Sequence, residues 1–180
     1  MDKILKKLRR FGLLVFIAAA ACVVFSSQAQ AAPSRKKVTK AYRKYASKND
    51  ITKFKQVDID GNGIREMLYR DVSWNIGVCT YSAKKKKVVK IKEISAGKAE
   101  PVIYYSKGKD TFFMVHADTG GYTAYAIRLK GTKKKTLRKM VHTNGKYKKR
   151  RYRINGKKYT QSKFLNILNQ YYRWNSKSLR

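Results

Sequence analysis

TFFMVHADTGGYTAYAIRLKGTKKKTLRKMVHTNG, residues 111–145, is the stretch that decides the fold. It holds three runs rich in β-branched and aromatic residues: Thr111 to His116, Tyr122 to Leu129 and Leu137 to His142. Turn signals at Gly120, Gly131 and Asn144-Gly145 separate and close them. A turn roughly every 12 residues is the beat of successive antiparallel hairpins. Asn-Gly is a strong type I′ turn signal because both central residues must take positive φ, and a second such pair follows at Asn155-Gly156. Working back toward the N-terminus, the beat continues through Val102 to Tyr105, Val88 to Ile94, Val78 to Tyr81 and Met67 to Val72, with turns near Gly108, Gly97, Lys84 and Gly61. No repeated sequence accompanies the beat, which argues against a solenoid.

Helical periodicity flanks the strands. Val38, Ala41, Tyr42, Tyr45 and Ala46 recur at i, i+3, i+4, i+7 and i+8, with Lys37, Lys40, Arg43 and Lys44 on the other side, which predicts an amphipathic helix of about 3–4 turns. Near the C-terminus Phe164, Leu165, Leu168, Tyr171 and Tyr172 share one helical face, and Ser162 is the predicted N-cap. The expected class is α+β: an antiparallel β-meander, as a twisted sheet or open barrel and propeller-blade-like, with one amphipathic helix at each end. No Pro/Ser-rich linker interrupts it, so residues 32–180 read as a single basic, β-rich extracellular domain.

Residues 1–31 read as a cleaved secretory signal peptide. Lys3, Lys6, Lys7, Arg9 and Arg10 precede an apolar run from Phe11 to Phe25, and Ala29-Gln30-Ala31 offers small residues for cleavage before Ala32. The run is shorter than the roughly 20 residues a membrane-crossing helix needs, so no stable transmembrane segment is expected after cleavage. An alternative makes Cys22 a lipidated cysteine behind Ala19-Ala20-Ala21, although the usual Leu three residues ahead of it is missing. Cleavage leaves Cys79 as the only cysteine, expected as a small buried side chain in a strand.

The chain carries 44 Lys+Arg against 10 Asp+Glu, a formal charge of +34, yet 43% of its 180 residues are hydrophobic and 12% aromatic. That apolar content excludes a disordered basic tail. Cleavage would remove five cations and one acid, so about +30 would remain. Such a field favours polyanionic partners and opposes the compact state until counter-charges bind.

Against that excess, three acids crowd into Asp58-Ile59-Asp60-Gly61-Asn62-Gly63-Ile64-Arg65-Glu66. Counted from Asp58, side-chain oxygens fall at positions 1, 3, 5 and 9, a glycine at 6 and the Ile64 carbonyl at 7. Hard oxygen donors around a sharp turn suit Ca²⁺. An EF-hand also requires a bidentate Glu at position 12, which here is Tyr69, so the loop is not a complete EF-hand. The candidate metal ligands are Asp58, Asp60, Asn62, Ile64 through its carbonyl, and Glu66. The competing reading is a bare Asx-rich hairpin turn.

The phrase Asp-x-Asp-Gly-Asn-Gly-x-x-Glu followed by Met67-Leu68-Tyr69 resembles the calcium loop of FG-GAP-type β-repeats. It is also similar to a group of small secreted or surface proteins of clostridial Gram-positive bacteria. Those share a signal peptide, a leading helix, this acidic phrase, a β-meander and a closing segment that here runs from Ile154-Asn155-Gly156-Lys157 to Phe164. The resemblance implies an extracellular β-rich module with a calcium-stabilised loop and brings no established activity. The chain departs from the group at Met67, usually Leu, and in its charge.

Lys84, Lys85, Lys86 and Lys87, then Lys133, Lys134 and Lys135, then Lys148, Lys149, Arg150 and Arg151 lie at or beside turns. Cationic hairpin tips would bind anionic wall polymers or other extracellular polyanions, with non-specific nucleic-acid binding expected in vitro. Solvated edge lysines alone are the plainer account of any one run. Tyr147 and Tyr152 among the basic residues fit a strand buried on one side better than a base-stacking platform. His116 and His142 are the only histidines. A small secreted hydrolase such as a ribonuclease would need both, as acid and base. No metal spacing or nucleophile–His pairing is readable around either one, so a non-catalytic binding or structural module is the leading expectation.

Overall fold

Pro33-Ser34 opens the first helix, α1 (Arg35–Lys48), the Ser34 hydroxyl accepting from the Lys37 backbone N–H at 3.4 Å. Val38, Tyr42 and Ala46 are its buried stripe, and at the far end Asn49 donates from Nδ2 to the Tyr45 carbonyl at 2.8 Å. The computed structural model describes residues 33–95, 102–106, 109–118, 120–144 and 150–178. The signal-peptide and Cys22 readings, the turns near Gly97, Gly108 and Gly145, and Lys148 and Lys149 lie outside the described residues. Among the described residues no helix is long and apolar enough to cross a membrane.

Two open antiparallel sheets follow α1. The smaller has β1 (Ile51–Val57), β2 (Glu66–Asp71), β3 (Asn75–Ser82) and β4 (Lys87–Ser95) in sequence order. The larger contains β5 (Val102–Ser106), β6 (Thr111–Asp118), β7 (Gly121–Lys130), β8 (Lys133–Thr143), β9 (Arg151–Ile154) and β10 (Lys157–Lys158), again in sequence order. A last strand, β11 (Asn175–Ser178), returns antiparallel to β5 after the second helix, α2 (Gln161–Tyr172). The fold is thus the expected α+β meander with a helix toward each end, and each predicted run falls on a strand except for Val72. The meander is divided between two sheets, a division the periodicity does not carry. Asn155 and Gly156 sit at φ 50° and 82° between β9 and β10, the positive values a type I′ turn requires.

Alternation along the strands sends neighbouring residues into different cores. Leu68, Ile76, Val78 and Ile91 of the small sheet meet Ile103, Phe112, Met114, Ile127 and Leu129 of the large sheet in one buried cluster. Met67, Tyr69, Cys79 and Tyr81 point the other way and pack on Val38 and Tyr42 of α1. On the opposite flank Phe113, Ala124, Ala126, Met140 and Ile154 pack on Phe164, Leu168 and Tyr171 of α2. The layers therefore run helix, sheet, sheet, helix. One correction falls on α2: its N-cap is Thr160, whose hydroxyl accepts from the Lys163 N–H, and Ser162 lies inside the first turn. Tyr172 is 41% exposed, so the buried stripe is narrower than predicted.

Cys79 is buried and free, and burial pushes its thiol up to about 12, so it stays protonated at neutral pH, in keeping with the core role expected of it. Beside it Tyr69 pairs across the strands with Gly77, and a Cβ on Gly77 would lie 2.2 Å from the Tyr69 ring. That ring is held from its far end, where the hydroxyl donates to Glu93. Gly77→Ala is therefore expected to displace a fully packed aromatic and to cost about 1–3 kcal/mol, read as a lowered urea midpoint at unchanged m-value.

Candidate metal-binding loop and basic surfaces

The acidic loop joins β1 to β2 and is fixed at three depths. Ile59 is fully buried in the core between the sheets, and Ile64 packs on the α1 side. At the loop's end the Tyr42 hydroxyl donates to the Arg65 carbonyl at 2.8 Å, tying the loop to α1. Glu66 is fully buried: its Oε2 accepts from the Ile59 N–H at 2.8 Å and its Oε1 from the Thr80 hydroxyl at 3.1 Å.

Asp58 Oδ2 accepts from the Gly63 N–H at 3.1 Å, while its other oxygen, Oδ1, is buried and has no hydrogen-bond partner. Asp60 accepts from the Asn62 N–H and side-chain amide and, across the gap between sheets, from the Gly131 N–H of the β7–β8 turn. Asn62 Oδ1 accepts from the Ile64 N–H at 2.7 Å. Gly61 and Gly63 supply the sharp bends, at φ 71° and 81°.

The loop brings one carboxylate oxygen each from Asp58, Asp60 and Glu66 within 4.8 Å of one another. Ligands across a Ca²⁺ ion at 2.3–2.6 Å per bond stand about 5 Å apart, so the three carboxylates could hold a metal ion. The orphaned Asp58 oxygen fits the same donor set, since a buried acceptor left unpaired costs about 1–3 kcal/mol. Asn62 lies in the same turn, with its oxygen already engaged locally. Thr80 and Gly131 complete the surroundings of the loop, and only strand register and sheet packing bring them there.

Two of the basic runs gather at the end of the molecule that carries this loop, because the β1–β2 loop, the β3–β4 turn and the β7–β8 turn share that end. Lys84 to Lys87 and Lys133 to Lys135 are exposed there. Arg150, just before β9, and Arg151, its first residue, lie at the opposite end of the large sheet, where they line a cleft with Tyr152, Arg153, Lys158 and Tyr159. Tyr152 is half-buried against Phe164, as expected of a strand buried on one side. Among the described residues a single ion pair forms, Lys90 to Glu93 at 3.0 Å.

His116 and His142 are not brought together. His116 pairs with Thr123, and Thr123 with Val141, whereas His142 pairs with Tyr122 and Tyr152. The rows differ by one residue, so the imidazoles project from opposite faces of the large sheet. His116 bonds through Nδ1 to the Ser95 carbonyl on the side of the small sheet. His142 stacks on Tyr152 at 4.8 Å on the α2 side, its Nε2 buried without a partner. Burial, then the nearby Arg150 cation, lowers its pKa.

No family model, curated protein or solved structure matches this chain.

Burial raises the Glu66 carboxyl to about 8, partly offset by the Ile59 N–H and reinforced by the negative charge of Asp60, with the Thr80 bond lowering it and Asp58 raising it again. In the presence of chelator, folded Glu66 then holds its proton between about pH 4.5 and 8 while the unfolded chain has released it. The associated stability is complete below the unfolded pKa and is lost as pH rises through the folded one. Urea midpoints in chelator should accordingly fall from pH 5 to pH 8, and Glu66→Gln should flatten that slope. A slope retained in Glu66→Gln would assign it to other groups.

Proposed function

We propose that this protein is an exported, non-catalytic cationic module that associates electrostatically with anionic wall or surface polymers and holds Ca²⁺ in the loop from Asp58 to Glu66. The observation that carries the reading is the uncompensated charge. The sequence has 44 cations to 10 acids, and the described residues make one ion pair. Lysine runs at two adjoining turns concentrate the positive field at one end of the molecule. The resemblance to secreted Gram-positive surface proteins supports the same setting.

Association by counterion release predicts an affinity for phosphate-rich wall polymer that falls linearly on a log–log plot against salt. Replacing Lys84 to Lys87 and Lys133 to Lys135 by Gln should flatten the slope, as should replacing Lys148 to Arg151. Polymer composition should matter little. Affinity unchanged between low and high salt would sink the electrostatic reading.

For the loop, Asp58, Asp60 and Glu66 supply three charges, and Asn62, the Ile64 carbonyl and water complete a coordination number of 6–8. The surrounding positive field opposes a cation, so the expected Kd is on the order of 10⁻⁴–10⁻³ M. Calcium at tenfold its Kd would stabilise the fold by about 1.4 kcal/mol. Thermal melts should therefore rise in millimolar Ca²⁺ over chelator for the parent and not for Asp58→Asn/Asp60→Asn. Asn keeps an acceptor oxygen for Gly63 and for Gly131, but Asp60→Asn gives up the bond from the Asn62 N–H, so the readout is the difference between calcium and chelator within each protein. Equal melting of the parent in both solutions would leave the bare turn.

A further inference from the structure

Where α2 ends, the outer face of the large sheet is no longer covered, and a cleft of about 780 Å³ opens between the last turn of the helix and β6, β7 and β8. Its volume is in the range of small-ligand sites. Four cations line it: Lys109, Arg128, Arg138 and Arg173. No acidic residue lines it among the described residues. These cations come from four separate parts of the chain, so no run of basic sequence announces them. Strand pairing sets Thr111 opposite Arg128 and Ala126 opposite Arg138, which puts both arginines on the α2 face.

The cleft is built rather than incidental. Arg138 is half-buried and donates from Nη1 to the Tyr171 hydroxyl at 3.0 Å, which holds its guanidinium in place. Tyr171 is itself fixed by stacking on Phe113, with centroids 4.5 Å apart and planes 8° from parallel. Trp174 meets Tyr171 edge-on at 4.9 Å, and the Lys109 ammonium lies 5.7 Å from the indole centroid. The aromatic surfaces are thus engaged by the protein's own side chains, Arg138 and Lys109 among them, while Arg128 and Arg173 stand at exposed positions on the cleft. The C-terminal end of a helix carries about half a negative charge, unfavourable to an anion, but four full positive charges outweigh it.

We propose that this cleft is a discrete binding site for linked phosphate groups, such as a stretch of phosphodiester chain or an oligophosphate. Guanidinium groups match phosphate oxygens in bidentate fashion. A single carboxylate carries too little charge to offset four neighbouring cations, whereas linked phosphates place several anionic oxygens within one cleft. The proposal deepens the polyanion reading and rests on it for the source of the ligand: diffuse attraction along the basic end, with one saturable site beside the β7–β8 turn.

Inorganic tripolyphosphate is the probe, titrated into the Trp74→Phe protein so that Trp174 is the remaining tryptophan and can be excited selectively, with calorimetry for stoichiometry. Saturation at one per chain with a change in Trp174 emission is expected, against no saturation with sulfate at matched ionic strength. Arg128→Gln/Arg173→Gln, both at exposed positions, should weaken binding at least tenfold, and so should Arg138→Gln where its melting curve shows it folded. Gln at all of Lys84 to Lys87 should change it less than twofold. Equal losses in the cleft and hairpin variants, or a sulfate response matching that of tripolyphosphate, would overturn the site. A poly(glycerol phosphate) oligomer that competes with tripolyphosphate supports the polymer as source. Polymer binding with a normal salt slope but no saturable tripolyphosphate binding would overturn the cleft and leave the diffuse reading intact. Saturable tripolyphosphate binding without polymer binding would do the reverse.

Discussion

Met67 and Leu68 are neighbours in the chain and belong to different cores, and the rest of the structure depends on that division. In β2 and β3 nearly every side chain is buried, because one face packs on the large sheet and the other on α1. An antiparallel sheet usually leaves one face to water. Here both sheets have apolar outer faces, so each needs a helix over it. The amphipathic stripes of α1 and α2 provide that cover. Buried positions are consequently given mostly to apolar side chains, and most cations occupy exposed positions, many of them in turns and on the outer side of α1.

The acidic loop sits where this layering ends. Its buried anchors, Ile59 and Glu66, extend the inter-sheet core, and Asp60 reaches across to the backbone of Gly131. The loop therefore joins the small sheet to the large one by a polar contact at the edge of an otherwise apolar interface. Burial and two neighbouring carboxylates make Glu66 resist ionisation in spite of the two hydrogen bonds donated to it. Either a proton or a cation resolves that repulsion. This is the physical difference between a bare turn and an ion-binding loop built from the same residues.

The strands were legible because period-2 alternation and glycine turns are local properties. The runs from Met67 to His142 and the Asn155-Gly156 turn could be read without knowing what any strand touches. What could not be read depends on contacts between distant segments. The division into two sheets falls between β4 and β5, where no periodicity changes. β11 consists of Asn-Ser-Lys-Ser and is a strand through its pairing with β5, not through propensity. Ser162 reads as the cap in sequence, but the helix starts two residues earlier and Thr160 caps it, because the boundary depends on where the preceding chain leaves the extended conformation. Asp58, Asp60 and Glu66 bring their carboxylate oxygens together because they lie within nine residues of one turn. Lys109, Arg128, Arg138 and Arg173 each look like a solvated charge in sequence and become a cleft only through strand register and the end of α2. The two histidines show the converse, for a register difference of one residue puts them on opposite faces.

Under the proposed function, cation and polyanion would bind at the same end of the molecule, and their free energies are then coupled. The positive field of Lys84 to Lys87 and Lys133 to Lys135 opposes Ca²⁺ at the loop. A polymer that neutralises those side chains lowers that opposition, and by linkage the bound ion cannot help one partner without being helped by it. By the same linkage Ca²⁺ in the loop would strengthen polymer binding, because the polymer relieves the repulsion between the ion and the lysines, and the Asp60–Gly131 contact holds the β7–β8 turn in the position from which its lysines act. The reach of both effects is set by distance. Asp60 touches the turn through Gly131, two residues from Lys133, while unit charges beyond about 8–10 Å are largely screened at physiological salt. Ordering through that contact acts within that limit, and lysines beyond it add little to the binding of either partner. The acids concentrated in this one loop thus act on the same turn that carries part of the cationic surface, which gives their position a consequence beyond the local stability of nine residues.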